Sequence, residues 1–428
     1  MKGLGVNRRQ FLGGTAAGLA LAGSTKLTRR AFAADKVVRI GFLAPLTGEV
    51  AAWGLPGLYG CQIWAEQVNA AGGVNINGEP HRIEFSSYDD EYLADKALQG
   101  AQKLVLEDDV KFIMMLGGDP WPGVQPFANR AKMLVSTLLP SDLSPDTPYL
   151  IAPAEVHPIY NVTGVEWLAE QRPELKTVAM CAQEDALGLP SIATYRAAFE
   201  AAGIDIVYDK FFDISTTDFA PIMTAMLASN PDIICLDTAY PDFVNLLTEQ
   251  AFLQGFKGQM ISCTCDNYQQ IVDKTSPEFM EGFVFQFPDF DDPAMQQEQI
   301  NFSNPKAFYE TYQSRYPGTW SAVSWEYAAI MEQWKNAAEK AGSVEPLDVL
   351  EAMTEGGKGQ HVFGPATWWG EELFGIDNAL VGDWPVVAIR DGKAQIQEFR
   401  SIPAWWDKHK DLLLKHMSDL GQLWDQRT

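Results

Sequence analysis

Short, mostly apolar runs alternate along this chain with longer stretches where apolar residues return every three to four positions. Val37–Leu43 is the first such run, closed by Pro45, Thr47 and Gly48. A run of that length reads as a strand buried on both faces. Leu58, Cys61, Ala65 and Val68 then share one helical face, and Gly72-Gly73 stops that helix. Strands follow at Arg82–Tyr88, Phe112–Leu116 and Met133–Thr137, with Leu93, Ala97, Ala101, Leu104 and Val105 at helical spacing after the first of these. The alternation restarts with strands at Thr177–Cys181, Ile204–Phe211, Ile233–Asp237, Gln259–Ser262 and Gly282–Phe287. Between them fall helices at Ser191–Ala202, Phe219–Ser229 and Phe243–Gln254, the second introduced by Thr217-Asp218. Strand–helix alternation with right-handed crossovers predicts an α/β fold of two doubly wound parallel-sheet lobes.

At 428 residues the chain is too long for one ordinary core. Crossings between lobes are expected at His157–Leu168, near Phe285–Pro288, and near Gly356–Pro365 after helices at 305–315 and 321–340. Several crossings make each lobe discontinuous and form a natural hinge. The predicted organisation is a leader at 1–33, an N-terminal lobe at 36–156 plus 288–360, a C-terminal lobe at 157–287 plus 361–400, and a helical extension at 401–428. In that extension Leu413, Met417, Leu420 and Trp424 recur at helical spacing. Its polar face mixes signs, which suits packing on a lobe better than lying on a membrane.

The first residues follow a different logic. Asn7-Arg8-Arg9-Gln10-Phe11-Leu12 precedes a short apolar stretch, Gly13–Ala22, and Ala31-Phe32-Ala33 supplies small residues for cleavage. This is the pattern of a twin-arginine signal peptide cleaved after about Ala33. Leu21-Ala22-Gly23-Ser24 has Ser where a lipidated Cys would stand, so no lipid anchor is expected. No later segment is apolar for long enough to span a bilayer. The predicted location is the periplasm. Losing six positive charges with the leader takes the net charge from −24 to −30. That charge repels phosphate, which excludes a general nucleic-acid binder. Five cysteines cannot all pair within the chain. Cys61, Cys181 and Cys235 sit in apolar patterns and read as buried hydrophobes. Cys263-Thr264-Cys265 is too closely spaced for an easy disulfide, and no ligand spacing suggests a metal.

Open parallel sheets bind ligands beyond the carboxyl ends of their strands. That rule selects the loops 44–54, 117–123 and 138–144 in one lobe, and 182–188, 238–242 and 263–268 in the other. They carry Trp53, Gly118, Asp119, Trp121, Leu138, Leu139, Asp185, Thr238, Tyr240, Asp266 and Tyr268. Trp53 can lay a flat face on a ligand or cover the lobe's own core. Trp121 is held stiffly between Pro120 and Pro122. Asp119, Asp185 and Asp266 can accept from a ligand ammonium or cap the following helix. Asp89-Asp90 reads as a strand-end cap. Enzyme signatures are missing: there is no G-x-S-x-G, Walker loop or H-E-x-x-H. Gly54, Gly57 and Gly60 do not form the dinucleotide fingerprint. Of five histidines only His157 lies near the predicted cleft.

These stretches resemble the periplasmic ligand-binding proteins of branched-chain amino-acid ABC uptake systems. Ile40–Gly48 is similar to that family's opening strand and loop, and Val68-Asn69-Ala70-Ala71-Gly72-Gly73-Val74 to its first helix end. Thr216-Thr217-Asp218-Phe219, Asn230-Pro231-Asp232, Asn304-Pro305 through Tyr316, and Ser324–Tyr327 resemble later landmarks in order. The resemblance implies a type I periplasmic binding fold whose lobes close on a small molecule and pass it to a permease. It implies that Trp53 stacks on the ligand, that Gly117-Gly118-Asp119 offers N–H groups to a carboxylate, and that Asp185, Tyr240 and Asp266 are second-lobe contacts. The chain departs at Thr137-Leu138-Leu139-Pro140-Ser141, where the family has small residues and a hydroxyl. Asp185-Ala186-Leu187-Gly188 replaces a tyrosine-glycine pair. Two indoles plus carboxylates suit an aromatic acid or amide, and equally a cage for a substituted ammonium. The expected function is the solute-binding component of an ABC importer for a small organic solute: an amino acid, aromatic acid or related amide. No reaction, cofactor, metal, nucleic acid or membrane anchor is expected; the partners are the solute and the permease subunits. An amide or ester hydrolase and a ligand-sensing partner of a membrane receptor remain alternatives.

Overall fold

A computed structural model describes residues 36–236, 241–265 and 267–427. The predicted leader and the candidates Thr238, Tyr240 and Asp266 lie outside the described residues. The first sheet contains β1 (Lys36–Ala44), β2 (Val74–Ile76), β3 (Glu79–Asp89), β4 (Ile113–Met115), β5 (Val135–Ser136) and β6 (Leu150–Ile151), in the order β2-β3-β1-β4-β5-β6. β1 runs parallel to β3 and β4, with Ile40 opposite Phe85 and Phe42 opposite Met114. The apolar run predicted at Val37–Leu43 is therefore the sheet's central strand, and Ile40, Phe42 and Leu43 are wholly buried.

The second sheet is built from β7 (Thr177–Gln183), β8 (Asp205–Phe212), β9 (Ile233–Leu236), β10 (Gln259–Ser262) and β11 (Val284–Phe285), all parallel. It continues into β12 (Lys358–His361), β13 (Gly364–Trp369), β14 (Ala379–Arg390) and β15 (Lys393–Ser401). These last four pair antiparallel, so the sheet is mixed where the alternating pattern predicts parallel strands alone. Two-residue hairpins make this possible. Asp391-Gly392 joins β14 to β15, with φ of 50° and 75°, the left-handed pair that a tight primed turn requires.

The chain passes from the first sheet to the second after β6, returns after β11, and passes again before β12. At the first passage, Ala152 N–H donates to Asn378 O and Leu380 N–H donates to Ala152 O, both at 2.9 Å, so main-chain bonds join the two sheets. Aromatic rings from both sides fill the same region. Tyr160 stacks on Trp384 at 4.9 Å, and Trp325 stacks on Phe290 at 5.3 Å. The Trp384 indole donates to Gln286 O at 3.0 Å, so its one polar atom is satisfied in the core.

The glycines at 54, 57 and 60 have a packing role. Helix Leu55–Ala71 lies against the long helix Ala322–Ala341. A Cβ on Gly60 would stand 1.8 Å from Ser324 O, and one on Gly57 would stand 2.3 Å from the Tyr327 ring. Only hydrogen at these positions lets the backbones approach so closely. Glu332 fastens the pair further, accepting from the Trp64 indole at 2.7 Å and from the Ser303 hydroxyl at 2.6 Å. This contact fixes where the start of the long helix stands. The expected terminal helix is Ile402–Asp419, packed on helix Gly188–Ala202 through a face that includes Trp405, Leu413 and Met417.

Candidate functional site

A cavity lies where both sheets and the passages between them meet. Trp53, Leu116 and Leu139 line it from the carboxyl ends of the first sheet, and Leu187 and Thr264 from those of the second. Glu155, His157 and Phe287 come from the passages. Ala322, Val323 and Glu326 come from the first turns of the long helix, whose position the glycine contact sets. The cavity is tight, with a volume of about 30 Å³.

Of the candidates the strand-end rule names, Trp53 and Leu139 line this cavity, and the loops 182–188 and 263–268 reach it through Leu187 and Thr264. Trp53 ends the 3-10 turn Glu49–Trp53 and is 5% exposed. Leu139 is also on the wall, while Leu138 is turned into the core, its N–H donating to Leu116 O at 3.1 Å. Trp121 opens helix Trp121–Ala131 and is buried away from the lining, its indole nitrogen lacking a hydrogen-bond partner. Asp119 is exposed and outside the lining; partial desolvation raises its pKa. Asp185 accepts from the N–H groups of Leu187 at 3.0 Å and Gly188 at 2.8 Å, the capping alternative for that residue. Burial raises its carboxyl pKa, against those hydrogen bonds. Asp89 ties its own turn to the loop after β1, accepting from Glu91 N–H at 3.0 Å and from Leu46 N–H at 2.8 Å.

Gly118 is placed differently from the resemblance's implication. Its φ of +74° aims the N–H toward Asp142, whose two oxygens lie 3.0 and 3.2 Å away. The Thr137 hydroxyl donates to the same carboxylate at 2.8 Å. Donors at the ends of β4 and β5 thus hold a carboxylate that belongs to the chain itself. Desolvation pushes the Asp142 pKa up to about 7, opposed by these bonds and by the nearby Arg427 charge.

Strand-end reasoning missed the lining residues supplied by the passages and the long helix, polar and apolar alike: Glu155, Phe287, Ala322, Val323 and Glu326. Glu155 accepts from the Tyr160 hydroxyl at 3.0 Å and is 8% exposed. Glu326 is 0% exposed, near the positive end of the long helix's dipole. His157 is buried, and desolvation lowers its pKa to about 3, so the imidazole is neutral at ordinary pH. The capping pattern Ser321-x-x-Ser324 was legible as a helix start: Ser321 N–H donates to Ser324 Oγ at 3.1 Å. Nothing local says that the turn after it faces a cavity. The arrangement combines aromatic and aliphatic walls with two carboxylates, a neutral imidazole and the Thr264 hydroxyl. As they stand these walls leave room for about a water; parted further, they could enclose and orient a small molecule.

Residues 37–394 match the periplasmic binding protein family. A leucine-, isoleucine-, valine-, threonine- and alanine-binding protein of Pseudomonas aeruginosa is 23% identical over 348 residues, covering 79% of this chain and 86% of the relative. Among solved structures, a Rhodopseudomonas palustris solute-binding protein in complex with 4-hydroxybenzoate superimposes with TM-score 0.67 at 18% identity. It covers 86% of this chain and 96% of its own. The isoleucine complex of a Streptococcus pneumoniae branched-chain amino-acid transporter substrate-binding protein gives TM-score 0.66 at 18% identity, covering 86% and 100%. At such identities the structural likeness is one of fold.

Proposed function

Because this chain belongs to the periplasmic binding protein family, we propose that it is the solute-binding component of an ABC importer. The lobes hold a small organic solute between them and release it unchanged to permease subunits. The observation that carries this reading is a cavity lined at once by both sheets' strand ends and by the passages joining them. A site so placed opens when the lobes part about those passages and is buried when they meet. The amino acids and hydroxybenzoate of the relatives mark the first solute classes to test. The twin-arginine pattern at Arg8-Arg9 supports export in the folded state, and the Ser at position 24 supports release without a lipid. No described helix is long and apolar enough to cross a membrane.

A thermal-shift screen of amino acids, aromatic acids, amides and amines tests the reading. A solute at 100 times its dissociation constant stabilises the native state by about 2.7 kcal/mol. Small-angle scattering with and without that solute reads compaction of the lobes. A panel in which nothing raises the melting temperature would remove the main support.

A further inference from the structure

We infer that the solute is a small substituted ammonium ion and that the cavity selects against carboxylic acids. This rests on the reading of the cavity as the solute site, and two separate features carry it. The first is the seat at the ends of β4 and β5. A carboxylate entering beside the wall residues Leu116 and Leu139 would seek N–H and O–H donors there; those of Gly118 and Thr137, bonded to this wall through Thr137 but outside the lining, already hold Asp142. Arg427 lies behind this seat. Its guanidinium donates to Leu143 O at 2.9 Å and its charge acts on Asp142. It is not among the residues lining the cavity.

The second feature is the wall. Glu155 and Glu326 line the cavity, and among the described residues no lysine or arginine does. A ligand carboxylate there would meet two carboxyl groups and neither lysine nor arginine in a poorly hydrated space, where an anion without a countercharge is costly. A substituted ammonium instead finds carboxyl oxygens to pair with. Its alkyl surface also suits Trp53, Phe287, Leu116, Leu139, Leu187 and Val323, and aromatic faces attract such a cation. The neutral His157 adds no opposing charge. The chain's net charge of −24 favours encounter with a cation over an anion.

Calorimetric titration of the full chain with tetramethylammonium, benzylamine, leucine and benzoate tests the inference. One of the two cations is expected to bind at least tenfold more tightly than leucine and benzoate. Glu326→Gln and Glu155→Gln, each checked for an unchanged melting temperature, are expected to weaken that cation tenfold or more. Asp142→Ala, which empties the seat, is expected to tighten benzoate binding. Leucine or benzoate binding more tightly than both cations would overturn the inference and leave the solute-binding reading standing. Cation binding that both glutamine variants leave unchanged, or an Asp142→Ala protein that folds but gains nothing for benzoate, would also overturn it. Absence of binding by all four compounds would overturn the inference and count against the solute-binding reading as well.

Discussion

Replacing Asp142 by Asn asks whether burial or charge pairing governs the carboxyl at the edge of the first sheet. Its oxygens sit among the Gly118 N–H, the Thr137 hydroxyl and the Arg427 charge, yet desolvation dominates and moves the pKa from 3.8 to about 7. Below about pH 4 the proton is present in both the folded and the unfolded chain. Between there and neutrality the unfolded chain releases it while the folded chain retains it. Stability therefore falls as pH rises, and the loss is complete above about pH 7. At about 1.4 kcal/mol per pH unit the ceiling on that loss is about 4 kcal/mol. The residue keeps some surface exposure, so water screens part of the effect and roughly 1–3 kcal/mol is expected. Asn keeps a carbonyl oxygen to accept from Gly118 or Thr137 but has no proton to lose. Asp90 and Asp289, raised by burial to about 6 and about 7, slope the same way and are untouched by the substitution. Only the difference between the two proteins isolates Asp142. Urea unfolding followed by tryptophan fluorescence from about pH 4.5 to pH 8 gives that difference. The variant is expected to lose less stability across the interval. Parallel curves for the two proteins would show that Asp142 is ionised throughout and that the burial argument is wrong.

Other expectations follow from the same contacts. Gly60→Ala drives a methyl group against Ser324 O and should cost about 1–3 kcal/mol despite the roughly 1 kcal/mol gain in helix propensity, read as a lowered melting temperature. Because it displaces the start of the long helix that carries Val323 and Glu326, it should weaken solute binding too. Trp53→Ala removes one aromatic wall and should weaken binding by roughly 1–3 kcal/mol by calorimetry on whichever solute binds; unchanged affinity removes Trp53 from the site. Arg427→Gln removes the cation beside Asp142, so the carboxyl pKa should rise further and stability should fall more steeply toward neutral pH; an unchanged slope would sever the two residues. Trp384→Phe leaves Gln286 O without its indole donor in the aromatic core between the sheets, and a loss of about 1–3 kcal/mol is expected by denaturant titration.

Strand and helix order was written in local pattern. The runs at Val37–Leu43 and Gln259–Ser262 read as buried strands, because apart from Arg39 and Gln259 near their starts they hold only apolar or small residues and leave little polar face for solvent. The Asp391-Gly392 turn was equally legible as a hairpin signal, and with it the antiparallel end of the second sheet, although strand–helix alternation drew attention away from it. The strand-end rule reached Trp53, Leu139, Leu187 and Thr264 because connectivity alone decides which loops lie at a parallel sheet's carboxyl edge. Asp185 was ambiguous for a definable reason: a carboxylate before a helix suits a cap and a ligand equally, and only the positions of the Leu187 and Gly188 N–H groups choose between them.

What the amino-acid order determined by itself was periodicity: which segments bury one face or two, where glycine and proline stop them, and how much charge the chain carries. What it left to the tertiary structure was every relation between distant segments. Glu326 joins Trp53 across a cavity because glycines at 57 and 60 let two helices touch. Asp142 fills a seat that Gly118 and Thr137 make together. Burial and field depend on neighbours folded in from far along the chain, and local spacing holds no record of them.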